Sequence, residues 1–239
     1  MFNIHRTTLG QHLKKAKIHV RKKYNINEHF FDKIDSAEKA YILGFFIADG
    51  CIKSKKGDIK IALKKEDSYI LKKMQSIMGN ERPLRDITVV NSFGIHDATE
   101  MNISSVTMYE ALQRLGFTSH KSMNEFLPNI PIVYTKDLLR GIFDGDGWFS
   151  SGKNYVELGF GMGLPILNKI RDIFISIGVK DTYKVKPYGN IYRYRITSRE
   201  SIEKIYSYLY EGATMFLIRK YDKIKRFAAQ GKDLTECLE

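Results

Sequence analysis

Two aspartates hold the arrangement in this chain that most clearly reads as chemistry. Asp49 lies near the end of Ile42-Leu43-Gly44-Phe45-Phe46-Ile47-Ala48-Asp49-Gly50, and Asp146 near the end of Leu139-Arg140-Gly141-Ile142-Phe143-Asp144-Gly145-Asp146-Gly147. At an offset of 97 residues Gly141 falls on Gly44, Gly145 on Ala48, Asp146 on Asp49 and Gly147 on Gly50. Both stretches read as helix ends. A carboxylate in a last turn faces the negative pole of the helix dipole, an arrangement unfavourable by about 0.3–1 kcal/mol. Its repetition in two copies points to a functional site that overrides a local rule. Two carboxylates brought together repel unless a cation neutralises them. An oxygen-only pair favours a hard divalent ion, Mg2+ above all.

The elements around the aspartates must bring them together. Ala40, Gly44 and Ala48 are small and spaced by four, as are Gly141 and Gly145, so each helix has a stripe that another backbone can approach closely. Parallel packing of these stripes would place Asp49 and Asp146 at one end. Asp35 with Glu38, and Thr135 with Asp137, are the expected N-terminal caps. Gly50 and Gly147 are expected in the left-handed conformation that closes helices. Downstream, Ile59, Ile61 and Leu63 alternate with Asp58, Lys60 and Lys64, predicting a half-buried strand. An amphipathic helix is expected over residues 68–78, a strand pair over 84–90 and 95–104, and a helix over 107–115. The second half repeats this order. Ile166-Leu167-Asn168-Lys169-Ile170 echoes Ile70-Leu71-Lys72-Lys73-Met74, and Arg195-Ile196-Thr197-Ser198 echoes Asn102-Ile103-Ser104-Ser105.

On these residues the chain resembles the LAGLIDADG homing endonucleases of the single-chain, two-motif type, over about residues 35–225. The second copy keeps Gly141, Asp144, Gly145, Asp146 and Gly147. The first departs where Ile47 replaces the earlier aspartate, which should affect only packing or capping there. The resemblance implies an α+β fold of two pseudo-twofold-related αββαββα halves. Their antiparallel, saddle-shaped sheets would bind DNA, and the motif helices would pack at the centre. The expected divisions are a basic arm over residues 1–34, a first half over 35–130 and a second over 131–239.

The resemblance further implies a site-specific endonuclease making a metal-dependent double-strand break in a long asymmetric target, with short 3′ overhangs. Asp49 and Asp146, with the backbone carbonyls of Ala48 and Gly145, would hold Mg2+, for which Mn2+ or Ca2+ could substitute. Lys121 and Lys220 would be the basic residues near each scissile phosphate. An alternative use of the same fold is an intron-splicing RNA maturase, with its host intron RNA as partner, or a non-cleaving DNA-binding regulator.

Composition agrees with a nucleic-acid partner. The 239 residues are 43% hydrophobic, enough for a substantial core, and a formal net charge of +12 suits a polyanion. Two cysteines, Cys51 and Cys237, argue against a disulfide scaffold and lack zinc-site spacing. No signal-peptide pattern or membrane-length apolar run is seen, so with so few cysteines an intracellular, reducing location is expected, and the resemblance to the single-chain type implies a monomer. Asp144-Gly145-Asp146-Gly147 starts like a calcium loop, but Trp148 stands where an oxygen ligand belongs.

The expected DNA-binding residues lie on wet strand faces and in the arm. They are Lys53, Lys60, Lys64, Asn102 and Ser104 in the first half. In the second they are Lys184, Lys186, Tyr188, Arg193 and Arg195, on a hairpin turning near Gly189-Asn190. Lys14, Lys15 and Arg21 in the arm would meet the phosphate backbone. A two-stranded ribbon fits a major groove, with Arg and Asn able to reach base edges.

Overall fold

The computed structural model describes residues 24–54, 57–91, 94–117 and 126–232, so Lys14, Lys15, Arg21 and Lys121 lie outside the described residues. The first half runs α1 (Ala37–Asp49), β1 (Cys51–Ser54), β2 (Asp58–Lys64), α2 (Ser68–Ile77), β3 (Arg85–Asn91), β4 (Gly94–Ser104) and α3 (Val106–Arg114). The second runs α4 (Thr135–Asp146), β5 (Gly147–Gly152), β6 (Tyr155–Met162), α5 (Leu164–Ser176), β7 (Val185–Tyr188), β8 (Ile191–Ile196) and α6 (Arg199–Tyr210), followed by α7 (Ile218–Lys232). The two four-stranded sheets are antiparallel throughout and share one order, β1-β2-β4-β3 and β5-β6-β8-β7. This is the α+β, twice-repeated αββαββα architecture expected from the sequence.

Strand alternation sets which face each sheet buries. In the first sheet Ile59 pairs with Ile103 and Ile61 with Met101, and all four are buried. In the second, Leu158 pairs with Ile196 and Phe160 with Tyr194, again all buried. Helices cover these faces with Ile70, Leu71 and Met74 on one side and Ile166, Ile170 and Phe174 on the other. One continuous hydrophobic cluster joins the halves.

The centre of that cluster is the pair α1–α4. From Ala40 to Ala48 every residue of α1 is buried, so this helix is apolar all round, as a central helix must be. The two helices touch through backbone. A Cβ on Gly44 would sit 3.0 Å from Ile142 N and closer still to Leu138 O. A Cβ on Gly141 would sit 2.9 Å from Phe45 N and closer still to Tyr41 O. These two sets of neighbours are related by the same 97-residue offset, so the pseudo-twofold axis passes between the two glycines.

The helix ends depart from expectation. Ser36, not Asp35, caps α1, its hydroxyl accepting from Lys39 N at 3.2 Å, while Asp35 pairs with Lys39 Nζ at 2.9 Å. Thr135 is the first residue of α4, and no side chain caps that end. Gly50 and Gly147 have φ of −62° and −77°, so neither is left-handed. Space is what they supply. A Cβ on Gly50 would meet Phe117 Cε2 at 2.7 Å, and one on Gly147 would meet Phe143 O at 2.6 Å.

The halves also hold each other away from the axis. Tyr134 Oη donates to Asp35 O at 2.6 Å, Lys73 Nζ to Thr214 O at 2.7 Å, and Arg219 Nε to the buried Asp67 carboxylate at 2.7 Å. Because a methyl cannot enter between the backbones, Gly44→Ala and Gly141→Ala should each lower the unfolding free energy by about 2 kcal/mol or more, in the range of overpacked cores. Urea melts of the purified variants check this, and an unchanged midpoint would contradict the close helix contact.

Candidate active site at the helix ends

At the next pair along the axis, Ala48 faces Gly145. A Cβ on Gly145 would overlap the Cβ of Ala48, so the axis has room for one methyl and the two copies must differ here. One residue further stand Asp49 and Asp146. The Asp49 Oδ2 lies 3.4 Å from the position that a Gly145 Cβ would take, so this carboxylate leans across onto the partner helix one residue before Asp146. Asp49 is half-buried and Asp146 exposed. The structure thus brings the two sequence-predicted aspartates to the same end of the parallel helices.

Lys220, near the start of α7, reaches into this end from behind. Its ammonium donates to Phe143 O at 2.7 Å, Gly145 O at 3.3 Å and Gly147 O at 2.5 Å, and only 8% of the residue is exposed. Phe143 O and Gly145 O belong to the last turn of α4 and Gly147 O to the first residue of β5, at the helix pole where a cation is favoured. Burial pushes the Lys220 ammonium down to about 8, while the carboxylates of Asp144, Asp49 and Asp146 pull it back up. Lys220 therefore sits within the field of both aspartates, but its hydrogen bonds go to backbone. Gly145 O, one of the expected carbonyl ligands, keeps a second lone pair; Ala48 is buried in the last turn of α1.

Asp144 supports this lysine. Its carboxylate is fully buried and accepts from Tyr41 Oη at 2.8 Å, Tyr210 Oη at 2.8 Å and Leu217 N at 2.7 Å. Burial raises its pKa, opposed by Lys220 and by these three donors. Burial, and the charge of Asp144, raise Tyr41 and Tyr210 well above the ordinary phenol value, so both stay protonated as donors. Next to it Arg140, 1% exposed, donates to Met215 O and Leu209 O, both at 2.7 Å, and to Asp137 at 2.5 Å. Together Asp144 and Arg140 fix the segment between α6 and α7 that delivers Lys220. The first copy has Ile47 in place of Asp144, 1% exposed and packed in the core. Neither role was assigned from sequence; the signal was an aspartate and an arginine inside an otherwise apolar helix stripe.

The expected DNA-binding residues separate into three sets. Lys60 reaches Glu100 at 3.5 Å, Ser104 donates to Asp58 at 2.7 Å and accepts from Arg82, and Lys64 is exposed. Asn102 corrects its expectation: it is 5% exposed, its amide donates to Glu100 at 2.7 Å and its backbone carbonyl accepts from Asn80 Nδ2 at 3.3 Å, in a stretch of β4 buried on both faces. On the second sheet Lys184 pairs with Asp181 at 3.3 Å, Arg195 pairs with Glu157, Lys186 is exposed, and Arg193 stacks on Tyr188. Lys53 belongs to β1.

The donor set at the helix ends is oxygen only, two carboxylates with neighbouring carbonyls, and suits a hard cation rather than zinc. Among the described residues no cluster of three or more His, Cys, Asp or Glu forms a closed cage. A cation here would have to complete its shell with water or a ligand's oxygens, as Mg2+ commonly does.

Residues 36–82 and 134–210, together just over half of the chain, match the family model described as LAGLIDADG-like domain. The chain belongs to the LAGLIDADG family. No match is found among curated proteins. Similar solved structures include the homing endonuclease I-WcaI bound to its DNA recognition sequence, at 12% identity over 87% of this chain and 97% of that one, with a TM-score of 0.54. I-SmaMI bound to an uncleaved DNA target in the presence of calcium ions is similar at 11% identity over 82% and 92%, with a TM-score of 0.51. Full-length DUF199/WhiA from Thermatoga maritima has 15% identity over 85% of this chain and a TM-score of 0.49; the chain spans 64% of its length. At these identities what is shared is the LAGLIDADG fold. Its two motif helices are α1 and α4.

If Asp144 is the anchor between the halves, Tyr41→Phe should cost about 1.5–3 kcal/mol, the range for a hydrogen bond to a charged group. Chemical denaturation measures it. A loss below about 0.5 kcal/mol would mean that Asp144 is satisfied without the first half.

Proposed function

We propose that this chain is a site-specific DNA endonuclease that makes a Mg2+-dependent double-strand break. The observation that carries the reading is the convergence of Asp49 and Asp146 from equivalent helix ends beside a pseudo-twofold axis. A DNA duplex has its own local twofold relation between antiparallel strands. A protein with one carboxylate on each side of such an axis is matched to one phosphodiester on each strand. Since a single chain supplies both halves, a monomer suffices. Because the halves differ in sequence, its target should be asymmetric and long enough to span both sheets. DNA-bound homing endonucleases of the same fold, one of them solved with calcium, support this choice of substrate and of a divalent cation.

The work of the chain's own groups follows from their placement. Asp49 and Asp146 each supply anionic oxygens at the axis, and the neighbouring carbonyls extend that donor set. When bound, Mg2+ would supply charge neutralisation at the phosphate and a more acidic water. Lys220, spent on two carbonyls of α4 and the first of β5, holds the end of that helix and offsets carboxylate repulsion from a fixed distance. It is a positioning residue in this reading. The basic strand faces bring the duplex to the axis, and cuts on opposite strands across the minor groove would leave the short 3′ overhangs expected for the family.

Asp49→Asn and Asp146→Asn should each abolish linearisation of a target plasmid in Mg2+ while binding of the target duplex survives, and EDTA should abolish cutting by the parent protein. Gel-based cleavage and mobility-shift assays test both statements. Full double-strand cutting by either variant would refute the site.

A further inference from the structure

The exposed face of the second sheet carries an assembly whose particular task the endonuclease reading leaves open. Trp148, two residues beyond Asp146, begins it. Its indole lies on the bare backbone of β6: a side chain at Gly159 would run into the ring, with Trp148 Cε2 at 2.8 Å. At Gly161 a Cβ would press on Ile191 Cδ1 at 3.2 Å, so the second glycine keeps the same floor low. Trp148 Nε1 donates to Glu157 Oε1 at 2.5 Å, which fixes the ring in its plane. The guanidinium of Arg193 then lies between two aromatic groups, 3.2 Å from the Tyr188 ring centroid and 5.4 Å from that of Trp148. Tyr188 is 54% exposed, so the stack stands open to solvent.

Several other arginines are already engaged. Arg140, Arg171, Arg195, Arg199 and Arg219 each spend N–H donors on a carboxylate or carbonyl. Arg193 has its plane held by rings, yet none of the described residues accepts a hydrogen bond from it. Arg195, its neighbour on the same face, is neutralised by Glu157, the carboxylate that also holds Trp148. A guanidinium fixed by stacking with its donor edge unspent has lost little freedom still to be paid on binding. Its fork of donors matches a pair of coplanar acceptors, such as O6 and N7 of guanine in a major groove.

We infer that Arg193, clamped by Tyr188 and Trp148, is a specificity-determining residue that reads one guanine in the part of the target covered by the second half. The inference rests on the endonuclease reading for the presence of a duplex on this face. Glu157 has two tasks in it: it orients the indole that supports Arg193, and it withdraws Arg195 from competition for the same base.

The test is selection of bound duplexes from a randomised library by the full chain in calcium, repeated with Arg193→Lys and Tyr188→Leu. Circular dichroism melts confirm that both variants fold. The parent should enrich guanine at one position that Arg193→Lys alone randomises. Guanine preference there should fall by roughly 5- to 150-fold, the value of one bidentate pair. Tyr188→Leu should weaken preference at that same position. Uniformly weaker binding by Arg193→Lys with every base preference intact, and a salt slope reduced by about 1, would make Arg193 a phosphate contact and overturn the inference. Enrichment of a different base at the Arg193-dependent position would overturn it as well. Failure of the parent chain to enrich any sequence would instead overturn the site-specific endonuclease reading on which it rests.

Discussion

The fold depends on one contact, the meeting of two helix backbones at Gly44 and Gly141. Helices usually approach to 8–10 Å because side chains stand between them. Here no side chain does, and a methyl on either glycine would collide with a carbonyl of the other helix. This closeness is what brings the ends of α1 and α4 near enough for Asp49 to lie against Gly145. It also fixes orientation. Since the neighbours of each glycine are related by the internal repeat, the chain has only one way to put the two helices together without loss. Both sheets follow from that axis, because β1 and β5 begin directly where the two helices end.

Such closeness concentrates negative charge. Two helix C-termini point to one place, and two aspartates stand there. On one side the protein answers with its own cation. Lys220 donates to carbonyls at the junction of α4 and β5, and Asp144 balances Lys220 from within the core. The result is a buried ion cluster in which each charge has hydrogen-bonded partners. Such clusters contribute less to net stability than to a defined geometry, because desolvation offsets much of the attraction. On the α1 side the described residues place Phe117 beside Gly50 and Ile47 in the core. The two ends of the axis are thus alike in backbone and different in chemistry.

Much of this is legible in the residues, and part of it rests on contacts that only the fold creates. The repeat at one offset, the small-residue stripes and the strand alternation predicted the architecture, because each is a local pattern with a direct geometric consequence. Gly50 and Gly147 were expected for their conformation and are needed for their volume. That distinction cannot be read from a glycine alone, since it depends on Phe117 and Phe143 arriving beside them. Ser36 displaced Asp35 as a cap because Asp35 found Lys39. Asn102 looked like a surface residue by alternation, but β4 is buried on both faces from Ala98 to Ile103. Lys220 could be placed near the site by its position in the repeat, whereas its partners could not. Backbone carbonyls leave no mark on sequence.

Divergence between the halves has a consistent direction. A duplicated chain needs equivalent helices, because the axis tolerates no asymmetry at Gly44 and Gly141. One step along, at Ala48 and Gly145, the axis requires asymmetry, since one methyl fits and two do not. Farther out the constraint relaxes and the sheets differ freely. On the first, Lys60, Glu100, Asn102, Asp58 and Ser104 satisfy one another. On the second, two glycines open a floor for Trp148, and Arg193 is held with its donors unspent. A surface whose polar groups are already paired must break those pairs to bind, and it gains little from any particular partner. A surface with a fixed, unpaired guanidinium gains most from the partner that matches its fork.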